Sequence, residues 1–203
     1  VYEKGARLGM SYVVGDGTNA ELTSLGGPWS QAPIVDNTGV RFVNEYCHSL
    51  NYPSLIYRHA APYYCIYGSD REDYAAILAN NVDDPAVTSA DTLEELADKL
   101  GFDKQAFLDC IAVYNAAKET GVDAAFGARV DFMNFATVGP FYAVQIAPQY
   151  TGTIGGVVTD TSAQVLRADG TVIGGLYAAG EASNGALYDL CLLYTSPSPR
   201  DCS

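Results

Sequence analysis

The chain has 203 residues, 48% of them hydrophobic and 17% charged, with a formal net charge of −13. That is enough apolar chain for one large domain or two small ones, and no apolar run approaches the roughly 18 residues that a membrane helix needs. So acidic a balance argues against nucleic acid as a partner, because phosphate-binding surfaces are basic.

Five cysteines (Cys47, Cys65, Cys110, Cys191, Cys202) are scattered without a Cys-x-x-Cys pair, which weighs against a disulfide framework and against a zinc site. With only His48 and His59 as histidines, no metal site is expected. The opening residues, "VYEKGARLGM", read neither as a signal peptide nor as a natural start, and the chain is read as an internal fragment of a longer protein.

Taken in order, "VVGDGTNAELTSLGG" places an apolar run before Gly15-Asp16-Gly17, then a short helix ending at Gly26. In "APIVDNTGVRFVNEY" a turn at Asp36–Gly39 joins two apolar arms as a hairpin. Residues 46 to 68 are crowded with tyrosine, and "YYCIYG" reads as a buried strand. "TLEELADKLG" opens on a capping box, Thr92 with Glu95, and stops at Gly101. "DKQAFLDCIAVYNAAKETG" starts at the N-cap candidate Asp103, stripes Phe107, Ile111 and Tyr114 along one face, and ends at Gly121. Both helices read as packing elements. Strand patterns then return in "FYAVQIAPQYTGTIGGVVTD" and "AQVLRADGTVIGGLYAAGE", with a hairpin turn at Asp169-Gly170. Helices in the middle and strands at both ends predict a sheet domain interrupted by an inserted α+β domain.

Three places can carry chemistry. Leu176 to Ala179 reads as a buried apolar strand running into Gly180-Glu181. A carboxylate at a strand end can accept hydrogen bonds from ligand hydroxyls, and a glycine beside it lets the ligand come close. Alone, Gly180-Glu181 is equally an ordinary exposed turn, and Asp16 between its two glycines poses the same choice. The small-residue run Thr151–Gly156 admits either a flat ligand or a tightly packed neighbouring strand.

As an ordered set these motifs are far more specific. "GDGTNAELTSLGG", "GVRFVNE", "TLEELADKLGFDKQAFLDCIAVYN", "GPFYAVQIAP", "TIGGVVTDTSAQVL" and "GLYAAGE" together resemble the C-terminal half of the fumarate reductase/succinate dehydrogenase flavoproteins, in the fumarate- and urocanate-reductase branch. The resemblance covers roughly residues 13 to 189. It implies an FAD-dependent oxidoreductase acting on CH–CH/C=C groups, adding hydrogen across the activated double bond of a small unsaturated acid. The implied fold is a partial α/β flavin-binding domain, residues 1–25 and 137–189, with an inserted α+β capping (substrate) domain over residues 26–136. Asp16, Gly180 and Glu181 then fall at cofactor-binding positions, and Gly152 at the position lying against the isoalloxazine. A cytochrome or FMN electron donor outside this chain is the implied partner, with neither nucleic acid nor a membrane span.

Departures from the family bear on substrate. Relatives that reduce fumarate carry "HHTMGG", whose first histidine clamps a substrate carboxylate; here Thr151 stands there and Gly152 replaces the second. The proton-donating arginine, four residues after the glutamate of "RFVNE", is replaced by Ser49. The stretch between "LGG" and "VDNTG", which supplies further substrate contacts, is short. Thr151, His48 and Tyr52 are therefore the candidate catalytic residues, with Tyr46 and Tyr150 nearby, since a tuned tyrosine or histidine can deliver a proton. Fumarate itself is a poor expected substrate; a larger or less charged enoate is preferred. A ketosteroid dehydrogenase-like flavoprotein and a degenerate, non-catalytic chain are the alternatives. The closing "LCLLYTSPSPRDCS" resembles translated adapter sequence of the kind found at the ends of metagenomic assemblies, and residues 190–203 are expected to stand outside the native fold.

Overall fold

A computed structural model describes residues 7–26, 32–45 and 58–183, with backbone alone for residues 7–12 and 148–154. The elements, in chain order, are β1 (Arg7–Val14), α1 (Ala20–Ser24), β2 (Ile34–Val35), β3 (Tyr63–Tyr67), α2 (Glu72–Asn80), β4 (Val87–Ala90), α3 (Leu93–Leu100), α4 (Lys104–Thr120), β5 (Phe141–Ile154), β6 (Gln164–Leu166) and β7 (Val172–Tyr177). Short 3₁₀ turns occupy Val130–Phe132 and Gly180–Ser183.

The principal sheet runs β1-β5-β3-β2, and β4 also pairs with β5. β3 lies antiparallel to β5, with Tyr63 opposite Ile146 and Tyr67 opposite Tyr142. On the other edge, β4 is antiparallel to the start of β5, from Val87 opposite Val144 to Ala90 opposite Phe141. Further along that strand, Gly15 forms a parallel bridge with Ile146, and its N–H donates to the Gln145 carbonyl at 2.8 Å.

The period-two alternation of a strand divides the core into two layers. Tyr142, Val144 and Ile146 of β5 join Cys65 and Tyr67 of β3 in one cluster with Val14, Leu22, Leu25 and Leu78. Phe141 and Ala143 join Ile66 on the other face, against Leu96, Phe102, Phe107 and Ile111 from α3 and α4. Both faces of the sheet are thus covered, and each fully buried side chain of this size contributes about 1.5–3 kcal/mol.

The capping signals act as expected. The Thr92 hydroxyl accepts from the Glu95 N–H at 3.2 Å, although Glu95 returns its bond to the Asp91 N–H rather than to Thr92. Asp103 accepts from the Ala106 N–H, and Gly101 and Gly121 end their helices in the left-handed conformation. The Asp36–Gly39 turn is present: the Asp36 N–H donates to the Val40 carbonyl, and Val35 bridges Arg41.

The structure corrects three expectations. Strands are not confined to the two ends: β3, expected in "YYCIYG", and the unforeseen β4 lie in the middle with the unforeseen helix α2, and both strands join the same sheet as β1 and β5. The long strand through "TGTIGG" stops at Ile154, where Gly155 and Gly156 take φ of 99° and 150°. The strand before Glu181 is not buried. Among the described residues β7 pairs only with the three-residue β6, and Val172, Leu176 and Tyr177 are exposed at 38%, 41% and 62%. The chain forms two compact units, Tyr12–Gln149 and Val1–Ser11 with Tyr150–Ser203.

Candidate functional site

The turn after β1 holds Asp16 between Gly15 (φ 75°) and Gly17 (φ 85°), both in conformations that favour glycine. Asp16 Oδ1 accepts from the Thr18 N–H at 2.8 Å and the Thr18 hydroxyl at 2.7 Å. Those two bonds, the hydroxyl first, hold its carboxyl below the ordinary aspartate range. Oδ2 takes no protein hydrogen bond among the described residues, and Asp16 is exposed. Three residues on, Asn19 caps α1 by accepting from the Glu21 and Leu22 N–H groups.

Asp16 lines a cavity of about 230 Å³ together with Gly15, Asp84, Pro85, Ala86, Gln145 and Ala147. Cavities that enclose a whole small-molecule ligand are usually about 300–1,000 Å³. This one therefore suits a hydroxyl-bearing portion of a larger molecule, presented to an ionised carboxylate oxygen.

The second acidic position stands in the other compact unit. Gly180 opens the 3₁₀ turn with φ 65° and open space where a Cβ would project, and Glu181 follows, exposed. The Ser183 hydroxyl donates to the Gly180 carbonyl at 2.9 Å, and the Val157 N–H donates to the Ala182 carbonyl at 3.0 Å. That last bond ties the end of "TIGGV" to the residue that follows "GLYAAGE". Thr151 and Gly152 lie within β5, where only the backbone is described. The candidates His48 and Tyr52, like Tyr46 and Ser49, lie outside the described residues.

A buried ion network, which the sequence did not reveal, immediately precedes those candidates. The Arg41 guanidinium donates to both oxygens of Glu45, each at 2.7 Å, and to both oxygens of Asp123 at 2.9 and 2.8 Å. It also packs over the rings of Tyr114 and Phe126, 4.7 and 4.8 Å from their centroids. Glu45 also accepts from the Ile34 N–H. Full burial pushes the Glu45 carboxyl up against the pull of Arg41. Arg41 is desolvated as well, yet its two carboxylates hold it more firmly protonated than usual. His59, not singled out in the sequence, stacks on Phe42 at 4.2 Å and places Nδ1 3.2 Å from Asp36 Oδ2. Among the described residues, no group of histidine, cysteine and acidic side chains is arranged to hold a metal ion.

Residues 17–190 match the protein family described as the FAD binding domain. The chain belongs to that family. It is 37% identical over 198 residues to the NADH:acrylate oxidoreductase of Vibrio harveyi, covering 89% of this chain and 19% of that protein. It is 30% identical over 155 residues to a fumarate reductase (cytochrome) of Shewanella frigidimarina, covering 76% of this chain and 27% of the relative. Among solved structures, the open conformation of a flavocytochrome c3 fumarate reductase superposes with a TM-score of 0.62 at 26% identity, covering 90% of this chain and 33% of the other. The chain thus spans 19% to 33% of these proteins' lengths. The resemblance carried by its motifs holds: this is the mixed α/β fold of the fumarate reductase flavoproteins, whose cofactor is FAD.

Each unit carries a feature chemically compatible with a cofactor's hydroxyls: in the larger, Asp16 presents a carboxylate oxygen beside the 230 Å³ cavity, and in the other, Gly180 leaves open space on its side of the Glu181 turn. Asn81, Asp84 and Gln145, which stand around the Asp16 turn or line its cavity, were missed by the sequence reading. Asp84 before Pro85 was the one visible signal, as an aspartate that starts a turn.

Proposed function

We propose that this chain is the FAD-side and capping portion of an oxidoreductase that reduces the activated C=C bond of a small unsaturated acid. The reading is carried by the family match over residues 17–190. It is supported by relatives named for acrylate and fumarate reduction. Asp16 and Glu181 hold cofactor hydroxyls, with Gly152 and Gly180 admitting the cofactor to the backbone. Bound FAD supplies the hydride.

The rest is the work of the chain's own side chains. Residues 26–136 supply the capping part and residues 1–25 and 137–189 the flavin-binding part, the two sharing the sheet in which β3 and β4 pair with β5. Thr151 contributes a neutral hydroxyl at the carboxylate-clamp position, and His48 or Tyr52 delivers the proton in place of the arginine that Ser49 replaces. A neutral clamp favours a substrate with a single carboxylate. A relative named for acrylate, a monocarboxylate, agrees with that preference. A cytochrome or FMN domain carries electrons to the flavin; the fumarate reductase (cytochrome) relative supports the cytochrome.

The test is the anaerobic reoxidation of photoreduced, protein-bound flavin by acrylate, cinnamate and fumarate. Acrylate or cinnamate should reoxidise it fastest, and the Tyr52→Phe and His48→Gln variants should separate the two proton donors. Fastest reoxidation by fumarate overturns the clamp argument. Failure of the intact protein, of which this chain is a portion, to bind flavin overturns the cofactor assignment.

A further inference from the structure

The turn that presents Asp16 has little stiffness of its own. Two left-handed glycines flank the aspartate, and the following helix α1 is only five residues long, too short to hold itself together in water. One oxygen of Asp16 is committed to Thr18, so the direction of the other follows the backbone of residues 15–19. Something outside the turn must fix that backbone. One end is tied to β5 through the Gly15–Gln145 hydrogen bond.

The other end is tied through Asn19, whose side chain is used twice. Its amide oxygen caps α1, while its amide nitrogen donates to Asn81 Oδ1 at 2.8 Å and to Asp84 Oδ2 at 3.0 Å. These partners lie 62 and 65 residues away in sequence. Asn81 is itself anchored, donating to Glu21 Oε2 and to the Ile77 carbonyl, each at 2.8 Å. The remaining oxygen of Asp84 accepts from the Ala86 N–H at 2.9 Å, which places Pro85 and Ala86 in the wall of the cavity that Asp16 lines. Asp84 is therefore both a wall of the cavity and an anchor of the turn opposite it.

We propose that Asn81 and Asp84, in the turn after α2, are positioning residues for the cofactor: acting through Asn19, they hold the open carboxylate oxygen of Asp16 at the cavity in the orientation that receives a hydroxyl. The inference rests on the reading of Asp16 as a cofactor-holding residue. It adds that residues far along the chain set the affinity through the orientation of Asp16.

The test compares the full chain with Asp16→Ala, Asn81→Leu and Asn19→Ser, titrated with FAD by quenching of flavin fluorescence. Serine keeps the helix cap but cannot reach Asn81 or Asp84. Loss of the tie should weaken FAD binding about three- to tenfold in both Asn81→Leu and Asn19→Ser, the effect of one or two hydrogen bonds. Amide exchange at Thr18 should quicken in the same variants, while exchange at Phe107, in α4, stays unchanged. If Asp16→Ala weakens binding but the other two variants do not, the positioning role fails and the Asp16 assignment stands. If Asp16→Ala has no effect, the Asp16 assignment itself fails. A fall in melting temperature with unchanged FAD affinity marks the tie as merely structural and overturns the proposal. Should no variant retain FAD, Thr18 decides: faster exchange supports the proposal, and unchanged exchange overturns it.

Discussion

The strand segments "FYAV" of β5 and "VIGGLY" of β7 look alike on paper, yet all four residues of the first are buried and five of the six in the second are exposed. The difference lies in their neighbours. β5 is paired on both edges, by β3 and β4, and apolar layers cover both its faces. β7 has the three-residue β6 as its one partner among the described residues. A two-stranded hairpin is marginal by itself in water. Hydrophobicity in a strand is thus a capacity for burial, and the elements around the strand decide whether that capacity is used.

The sharpest way to stress this comparison is to empty the centre of the larger unit. Arg41→Ala would leave Glu45 and Asp123 buried and unpaired, and should cost about 3–5 kcal/mol in urea denaturation followed by far-UV circular dichroism. A loss below 1 kcal/mol would mean that water reaches the network.

The next effect is steric. Gly39 has φ 86°, and a Cβ there would stand 2.7 Å from the Phe102 ring, so Gly39→Ala should destabilise the same unit by about 2–3 kcal/mol. The double variant with Phe102→Leu should recover part of that loss.

Acid should separate the two regions by a smaller, distributed effect. Burial works against ionisation at Asp36, Asp70 and Asp123, yet each is held below the ordinary aspartate range: Asp36 by Thr38 and His59, Asp70 by Thr137, and Asp123 by Arg41 and backbone N–H groups. A depressed carboxyl stabilises the fold above its unfolded pKa of about 3.9 and loses that contribution as pH falls through the lower folded value. Glu45 is shifted upward, binds its proton more readily in the fold, and partly offsets the loss. Stability of the larger unit should therefore hold from pH 7 to about 5 and fall below about 4, as read by tyrosine near-UV circular dichroism. Stability that rises on acidification would reverse the assigned directions.

The smallest effect is expected in the hairpin. Leu176→Ser and Tyr177→Ser should each change stability by less than about 0.5 kcal/mol, because both side chains are exposed on a two-stranded hairpin. A loss of about 2 kcal/mol in either would show that β7 is covered in solution, erasing the contrast with β5.

Much of the local structure was legible because it is decided within a few residues. Thr92, Asp103, Gly101 and Gly121 mark helix ends through bonds to backbone groups three or four positions away, and Phe107, Ile111 and Tyr114 mark a buried face through helical spacing. The Gly15-Asp16-Gly17 turn was legible for the same reason, since its conformation is set by glycine and its carboxylate is tied to Thr18 two residues on. The ordered motifs also placed the chain in the flavoprotein family.

What the tertiary structure alone decided depends on partners distant in sequence. The pairing of Arg41 with Asp123 spans 82 residues, and the tie from Asn19 to Asp84 spans 65. Neither has a periodic signature, because a hydrogen bond between loops constrains two side chains and no pattern. The burial of β5 and the exposure of β7 were likewise undecided by the residues themselves. Apolar strands are driven out of water in proportion to area, without direction, so only the arrangement of the elements around them determines which is covered.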